Sequence, residues 1–125
     1  MFKDGKIKVT GGTTKWYQYK DIKVQGTFEL RTCKILDSWK EKGKILKWEY
    51  TNDRFEYIGI DGNKHTYLLD FKIFESNNEF YYVEVKGFKI DNDDFKWKAV
   101  KDAGYKIEVW FLNTINKHEK ELLVK

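Results

Sequence analysis

The run YYVEVKG, Tyr81 to Gly87, holds an acid and a base two residues apart at Glu84 and Lys86. On an extended chain Tyr81, Val83 and Val85 face one way, and Tyr82, Glu84 and Lys86 the other. That charged face is either wet or a site. The tripeptide alone carries little: Asp4-Gly5-Lys6, Asp21-Ile22-Lys23, Asp70-Phe71-Lys72 and Asp94-Phe95-Lys96 match it equally well. Context separates Glu84 from these. Asp70 lies between YLL and FKIF, where an acid must be exposed, paired or metal-bound. The ESNN turn makes the two strands hairpin neighbours, so Asp70 and Glu84 can share a face. Carboxylates brought together repel, and a divalent cation relieves the repulsion. Mg²⁺ takes near-octahedral oxygen ligands, commonly one or two carboxylates with water and substrate phosphate. The Val85 backbone carbonyl is a candidate further ligand, and Mn²⁺ is expected to substitute for Mg²⁺. Such an ion activates water and orients a phosphodiester. Lys86, on the same side as Glu84, could orient that water or neutralise the charge of the transition state.

Secondary elements must hold these groups in place. KIKVT, the GGTT turn and KWYQYKDIKV predict two strands around a Gly-rich turn. GTFELRTCKILDSWKEKG predicts a helix, with Thr27 as candidate N-cap and Gly43 as its stop. At 100° per residue Phe28, Thr32, Ile35, Leu36 and Trp39 form one stripe, with Arg31, Lys34 and Ser38 opposite. Glu29 falls at the border of the stripe, beside Leu36. ILKWEY, RFEYIGI, KHTYLLDFKIF and EFYYVEVKGF read as antiparallel strands divided by TND, DGN and ESNN. DNDDFKWKAVKDAG begins with acids and ends in Ala-Gly, as a helix prefers; its predicted inner stripe is Phe95, Lys96, Ala99, Val100 and Ala103. YKIEVWFL is a further strand, and NTINKHEKELLVK a short terminal helix capped by Asn113 or Thr114. The expectation is an α+β, sandwich-like domain: a central mixed β-sheet flanked by helices, with an N-terminal β-hairpin.

The order GTFELRTCKILDSW, KWEY, TYLLDF, YYVEVKG, KWKAV, KIEVW resembles the PD-(D/E)XK nuclease superfamily, in particular its small phage-encoded and mobile-element endonucleases. The resemblance spans roughly residues 24 to 111 and implies a restriction-endonuclease-like core. It implies Glu29 as the helix acid, Asp70 as central metal ligand, Glu84 as second ligand and Lys86 as catalytic lysine. The Pro-Asp dipeptide that names the superfamily is Leu69-Asp70 here. Glu29 at the edge of a buried stripe can reach across the end of a sheet; its alternative is a solvated acid favoured by the helix dipole. Lys96 is a possible auxiliary that approaches the same phosphate, or else a snorkelling stem whose amine reaches water. The implied activity is Mg²⁺-dependent DNA endonuclease, acting on duplex, nicked or branched DNA. Cutting both strands with one site per chain implies a homodimer. The alternative is a non-catalytic nucleic-acid-binding module with a nuclease-like fold.

Composition sets the frame. The 125 residues are 41% hydrophobic, 18% aromatic and 35% charged, as in a folded chain. They are expected to form one domain: a ribbon over 1–25, a nuclease core over 26–112 and a terminal helix over 113–125. The net charge of +4 permits a polyanionic partner. In the ribbon, Lys15, Trp16, Tyr17, Lys20 and Lys23 suit nucleic acid, although the aromatics equally suit packing or a dimer interface. A single cysteine, Cys33, excludes an internal disulfide and reads as a small core residue. His65 and His118 have no partner at zinc-ligand spacing. DNDDFKWKAVKD lacks the Gly and final Glu of a calcium loop. With no signal-like or membrane-spanning segment, a cytoplasmic location and no membrane partner are expected.

Overall fold

The computed structural model describes residues 15–124; the KIKVT strand and the GGTT turn lie outside the described residues. KWYQYKDIKV is not one strand but a hairpin, β1 (Trp16–Tyr19) and β2 (Ile22–Gln25), turning at Lys20-Asp21. Lys20 adopts φ 52°, a left-handed conformation unusual outside Gly. Two contacts hold it there. Gln18 Nε2 donates to the Lys20 carbonyl at 2.6 Å, and Lys20 Nζ pairs with Asp37 at 2.7 Å.

Helix α1 covers Thr27–Glu41. Its N-cap is Gly26, at φ 87° and ψ 163°, so Thr27 is the first helical residue rather than the cap. Only Gly reaches that conformation without strain. Gly43, at φ 76°, ends the helix as the sequence predicted. The stripe Thr32, Ile35, Leu36 and Trp39 is buried together with Glu29 and Cys33. Arg31, expected to face outward, instead joins Glu119 of helix α3 (Leu112–Leu122) at 2.6 Å.

The central sheet runs β3 (Lys47–Tyr50), β6 (Phe71–Phe74), β7 (Phe80–Val85), β8 (Ile107–Trp110). Its pairs are antiparallel except β7–β8, which is parallel because helix α2 (Asp93–Asp102) makes the crossover. β4 (Arg54–Ile58) and β5 (Lys64–Leu68) form a separate hairpin. KHTYLLDFKIF is therefore two strands in two sheets, broken at Leu69-Asp70. At the break Leu69 N–H donates to the Asp53 carbonyl and Thr51 N–H to the Asp70 carbonyl, both at 3.0 Å. Those bonds carry the chain from one sheet to the other without orphaning its backbone.

One face of the central sheet meets α1, α3 and the ribbon in a core of Val24, Ile35, Leu36, Trp39, Phe71, Ile73, Val83, Trp110 and Ile115. The other face, with Tyr82, packs on Tyr57 and Tyr67 of the hairpin, on Leu69 just after it and on Val100 of α2. The domain is α+β, and β7 is covered on both sides. Burial from Tyr81 to Val85 is consequently continuous. The wet-face alternative fails: Glu84 is 5% exposed.

The inner face of α2 differs from expectation. Asp93, Lys96, Trp97 and Val100 turn inward, at the i, i+3, i+4, i+7 spacing of one helical face, while Phe95 is 40% exposed. Helix α3 begins at Leu112 with Phe111 at its N-cap, so neither Asn113 nor Thr114 caps it. Among the described residues no helix is long and apolar enough to cross a membrane.

Candidate active site

Phe71 pairs with Val83 across β6 and β7. Asp70 immediately precedes β6, so it stands one residue beyond that pair, at the end of the ladder where Glu84 and Val85 lie. Asp70 is fully buried, and its Oδ2 accepts the Val85 N–H at 2.9 Å. The carboxylate thus takes a ladder position that a carbonyl would otherwise occupy, because β6 begins only after it.

Two buried tyrosines bracket these acids, and neither was singled out from the sequence. Tyr67 is 4% exposed; burial, then the charges of Glu84 and Asp70, hold its phenol far above the usual range. Burial, Glu29 and Asp70 do the same to Tyr50. Both rings thus sense Asp70, with Glu84 on one side and Glu29 on the other.

Glu29 is 3% exposed, so it is not the solvated helix-start acid of the alternative reading. Its Oε1 accepts the Tyr50 hydroxyl at 2.6 Å and the Gln25 N–H at 2.9 Å. It meets Tyr50 at the last residue of β3 and Gln25 at the last residue of β2, and so ties the ribbon to the sheet. Among the described residues no three His, Cys, Asp or Glu side chains form a metal-holding group. Glu29, Asp70 and Glu84 are thus not gathered as a trio. The donor set that remains is Asp70 and Glu84 with the Val85 carbonyl, which is within what Mg²⁺ accepts.

Lys86 follows β7, and its Nζ lies 3.2 Å from Asp93 Oδ1. Lys96 Nζ approaches the same oxygen at 3.5 Å and stands 5.5 Å above the Tyr67 ring. Lys96 therefore ends on a buried acid rather than in water. Asp93 is fully buried, and its Oδ2 accepts the Ile90 N–H at 2.7 Å. Sequence reasoning took it as one acid of a helix start. Its spacing from Lys96, Trp97 and Val100 was the available signal.

The ribbon divides. Tyr17 and Tyr19 pack on the core and Trp16 is half-buried, which favours the packing role for the aromatics. Asp37 accepts from the Tyr19 hydroxyl, Lys20 Nζ and Trp48 Nε1, so Lys20 is committed to the fold. Lys15 and Lys23 stay exposed. Cys33 is fully buried, and burial, reinforced by the charges of Glu29 and Asp37, pushes its thiol up to about 12. His65 stacks on Tyr57 and bonds Asp61 at 2.9 Å; His118 lies against Trp39 and Trp110.

Fold and site together define an α+β domain with two carboxylates buried at the end of its central hairpin, and two lysines paired with the buried Asp93 at the start of α2. No family model, curated protein or solved structure matches the chain.

Proposed function

We propose that the chain is a Mg²⁺-dependent DNA endonuclease of PD-(D/E)XK type that hydrolyses phosphodiester bonds. The observation that carries the reading is the burial of both Asp70 and Glu84 at one end of the β6–β7 hairpin, where Asp70 accepts the Val85 N–H, with Lys86 just beyond. Burying two acids on one hairpin is costly unless a cation or hydrogen bonds compensate it. Asp70, Glu84 and the Val85 carbonyl would hold Mg²⁺, which supplies orientation of the phosphodiester and stabilisation of developing charge. Lys86 presents a cation to the transition-state phosphate. The Val85 N–H fixes the Asp70 carboxylate, and Glu29 braces the ribbon and Tyr50 behind it. A homodimer that cuts both strands of an intracellular DNA target belongs to the same reading. Incubation of plasmid and four-way-junction DNA with the protein and Mg²⁺ or Mn²⁺ tests it. Cleavage that disappears in Asp70→Asn and Glu84→Gln is expected; undiminished cutting by both variants rejects the site.

A second reading rests on two observations: Lys86 is engaged by Asp93, and no three-acid group forms among the described residues. A nuclease-like module without turnover would bind DNA in a salt-sensitive way, need no metal and tolerate Asp70→Asn.

A further inference from the structure

Tyr67 carries a hydroxyl that packing does not require. On β5 it pairs with Phe55 of β4, and with Tyr57 and Leu69 it joins the apolar layer against the central sheet. Phenylalanine would fill that layer as well, and an unsatisfied buried hydroxyl costs stability. Tyr67 is 4% exposed, and its hydroxyl meets no hydrogen-bond partner among the described residues. Trp97 Nε1, brought inward by α2, is buried and unpartnered in the same way. The Tyr67 hydroxyl has Glu84 and the Trp97 indole as polar neighbours, and after burial the charge of Glu84 acts on it most. Lys96 does not compete for the oxygen, because its Nζ stands over the ring, 5.5 Å from the centroid.

Elsewhere in this chain a tyrosine beside an acid is bonded to it. Tyr50 donates to Glu29 at 2.6 Å, Tyr82 to Asp53 at 2.7 Å, and Tyr19 to Asp37. Tyr67 and Glu84 repeat the pairing without closing it. Hydrogen bonds of a catalytic site are often long in the free protein and tighten only in the complex.

We infer that Tyr67 is the positioning residue for Glu84: its hydroxyl donates to the carboxylate when Glu84 serves as a metal ligand, and the Trp97 N–H donates in turn to the hydroxyl oxygen. A phenol both donates and accepts, whereas an indole N–H only donates. Only the order Trp97, Tyr67, Glu84 therefore uses both donors. Ligating carboxylates are oriented by outer hydrogen bonds of this kind. The inference deepens the nuclease reading and rests on it for the metal.

Titration calorimetry of the metal-free protein with Mn²⁺ tests the positioning role without requiring turnover. Tyr67→Phe keeps the ring and removes the hydroxyl. It is expected to weaken Mn²⁺ binding about ten- to a hundredfold. In EDTA it should melt no lower than the unaltered chain, because it buries one unsatisfied polar atom fewer. Unchanged affinity, or a lower Tm in EDTA, overturns the positioning role. Trp97→Phe is expected to weaken binding less, and Tyr67→Phe/Trp97→Phe to bind no worse than Tyr67→Phe alone, because Trp97 acts through the hydroxyl. Losses that add overturn the relay from Trp97. No Mn²⁺ uptake by the unaltered chain refutes the nuclease reading and the inference together; uptake that Tyr67→Phe leaves unchanged refutes the inference alone.

Discussion

Glu84→Gln should make the metal-free protein more stable while abolishing its response to metal. The substitution removes one of two acids buried at the end of the β6–β7 hairpin and leaves the Asp70–Val85 bond at 2.9 Å intact. Two unit charges on the order of 5 Å apart, with an effective dielectric near 20, repel by roughly 3 kcal/mol. The amide accepts hydrogen bonds more weakly than the carboxylate it replaces, which offsets about 1 kcal/mol. The net gain of about 2 kcal/mol corresponds to a rise in Tm of roughly 5–10 °C for a domain of this size. Metal reverses the order. Mn²⁺ at a hundred times its Kd stabilises the unaltered chain by about 2.7 kcal/mol and should leave the variant unchanged. Scanning calorimetry at pH 8, in EDTA and in Mn²⁺, reads both effects. A variant that melts lower than its parent in EDTA, or that gains as much from Mn²⁺, would refute the buried-carboxylate reasoning.

Three further outcomes are expected. Burial alone would push the Asp37 carboxyl up, but hydrogen bonds from Lys20, Tyr19 and Trp48 outweigh it and hold the group below the usual range. Its contribution is therefore complete above the unfolded pKa near 3.9 and is lost as pH falls through the lower folded value. Asp37→Asn should accordingly flatten the acid limb of a urea-denaturation series below about pH 4; an unchanged limb would show that the clamp adds nothing. With its thiol pushed up to about 12, Cys33 should resist a thiol reagent at pH 8 and react only at the rate of unfolding, as a urea titration of labelling would reveal. At Gly59 an added Cβ would meet His65 Cδ2 at 2.8 Å and Asn92 Oδ1 at 3.2 Å. Gly59→Ala should cost about 1–3 kcal/mol in chemical denaturation, chiefly by pushing the His65 ring off Tyr57 and Asp61, and secondarily by loosening the 3.0 Å bond from the Ile60 N–H to Asn92.

Helix α1, its Gly43 stop and the ESNN hairpin were legible from residue order, because each depends on spacing within a few residues. The departures share a different cause. KWYQYKDIKV alternates well enough for one strand, yet the chain turns at Lys20, which takes a left-handed conformation and whose amine meets Asp37, seventeen residues on. KHTYLLDFKIF reads as one apolar run although two separate sheets claim its halves. Phe95 looked like a core residue of α2 by hydrophobicity, but Asp93, Lys96 and Trp97 occupy the inner face because the buried partners there are Lys86 and Tyr67.

The amino-acid sequence by itself determined which side chains of YYVEVKG share a face, and that Asp70 could stand across a hairpin from Glu84. Those facts follow from the two-residue period of a strand and the length of a turn. Only the tertiary structure decided that the charged face is dry, that Glu29 is spent on Tyr50 and the ribbon, and that Lys86 meets Lys96 over Asp93. Periodicity records the direction in which a side chain points. What lies in that direction belongs to the layer packed against it, and here that layer is the β4–β5 hairpin and α2, supplied by other parts of the chain.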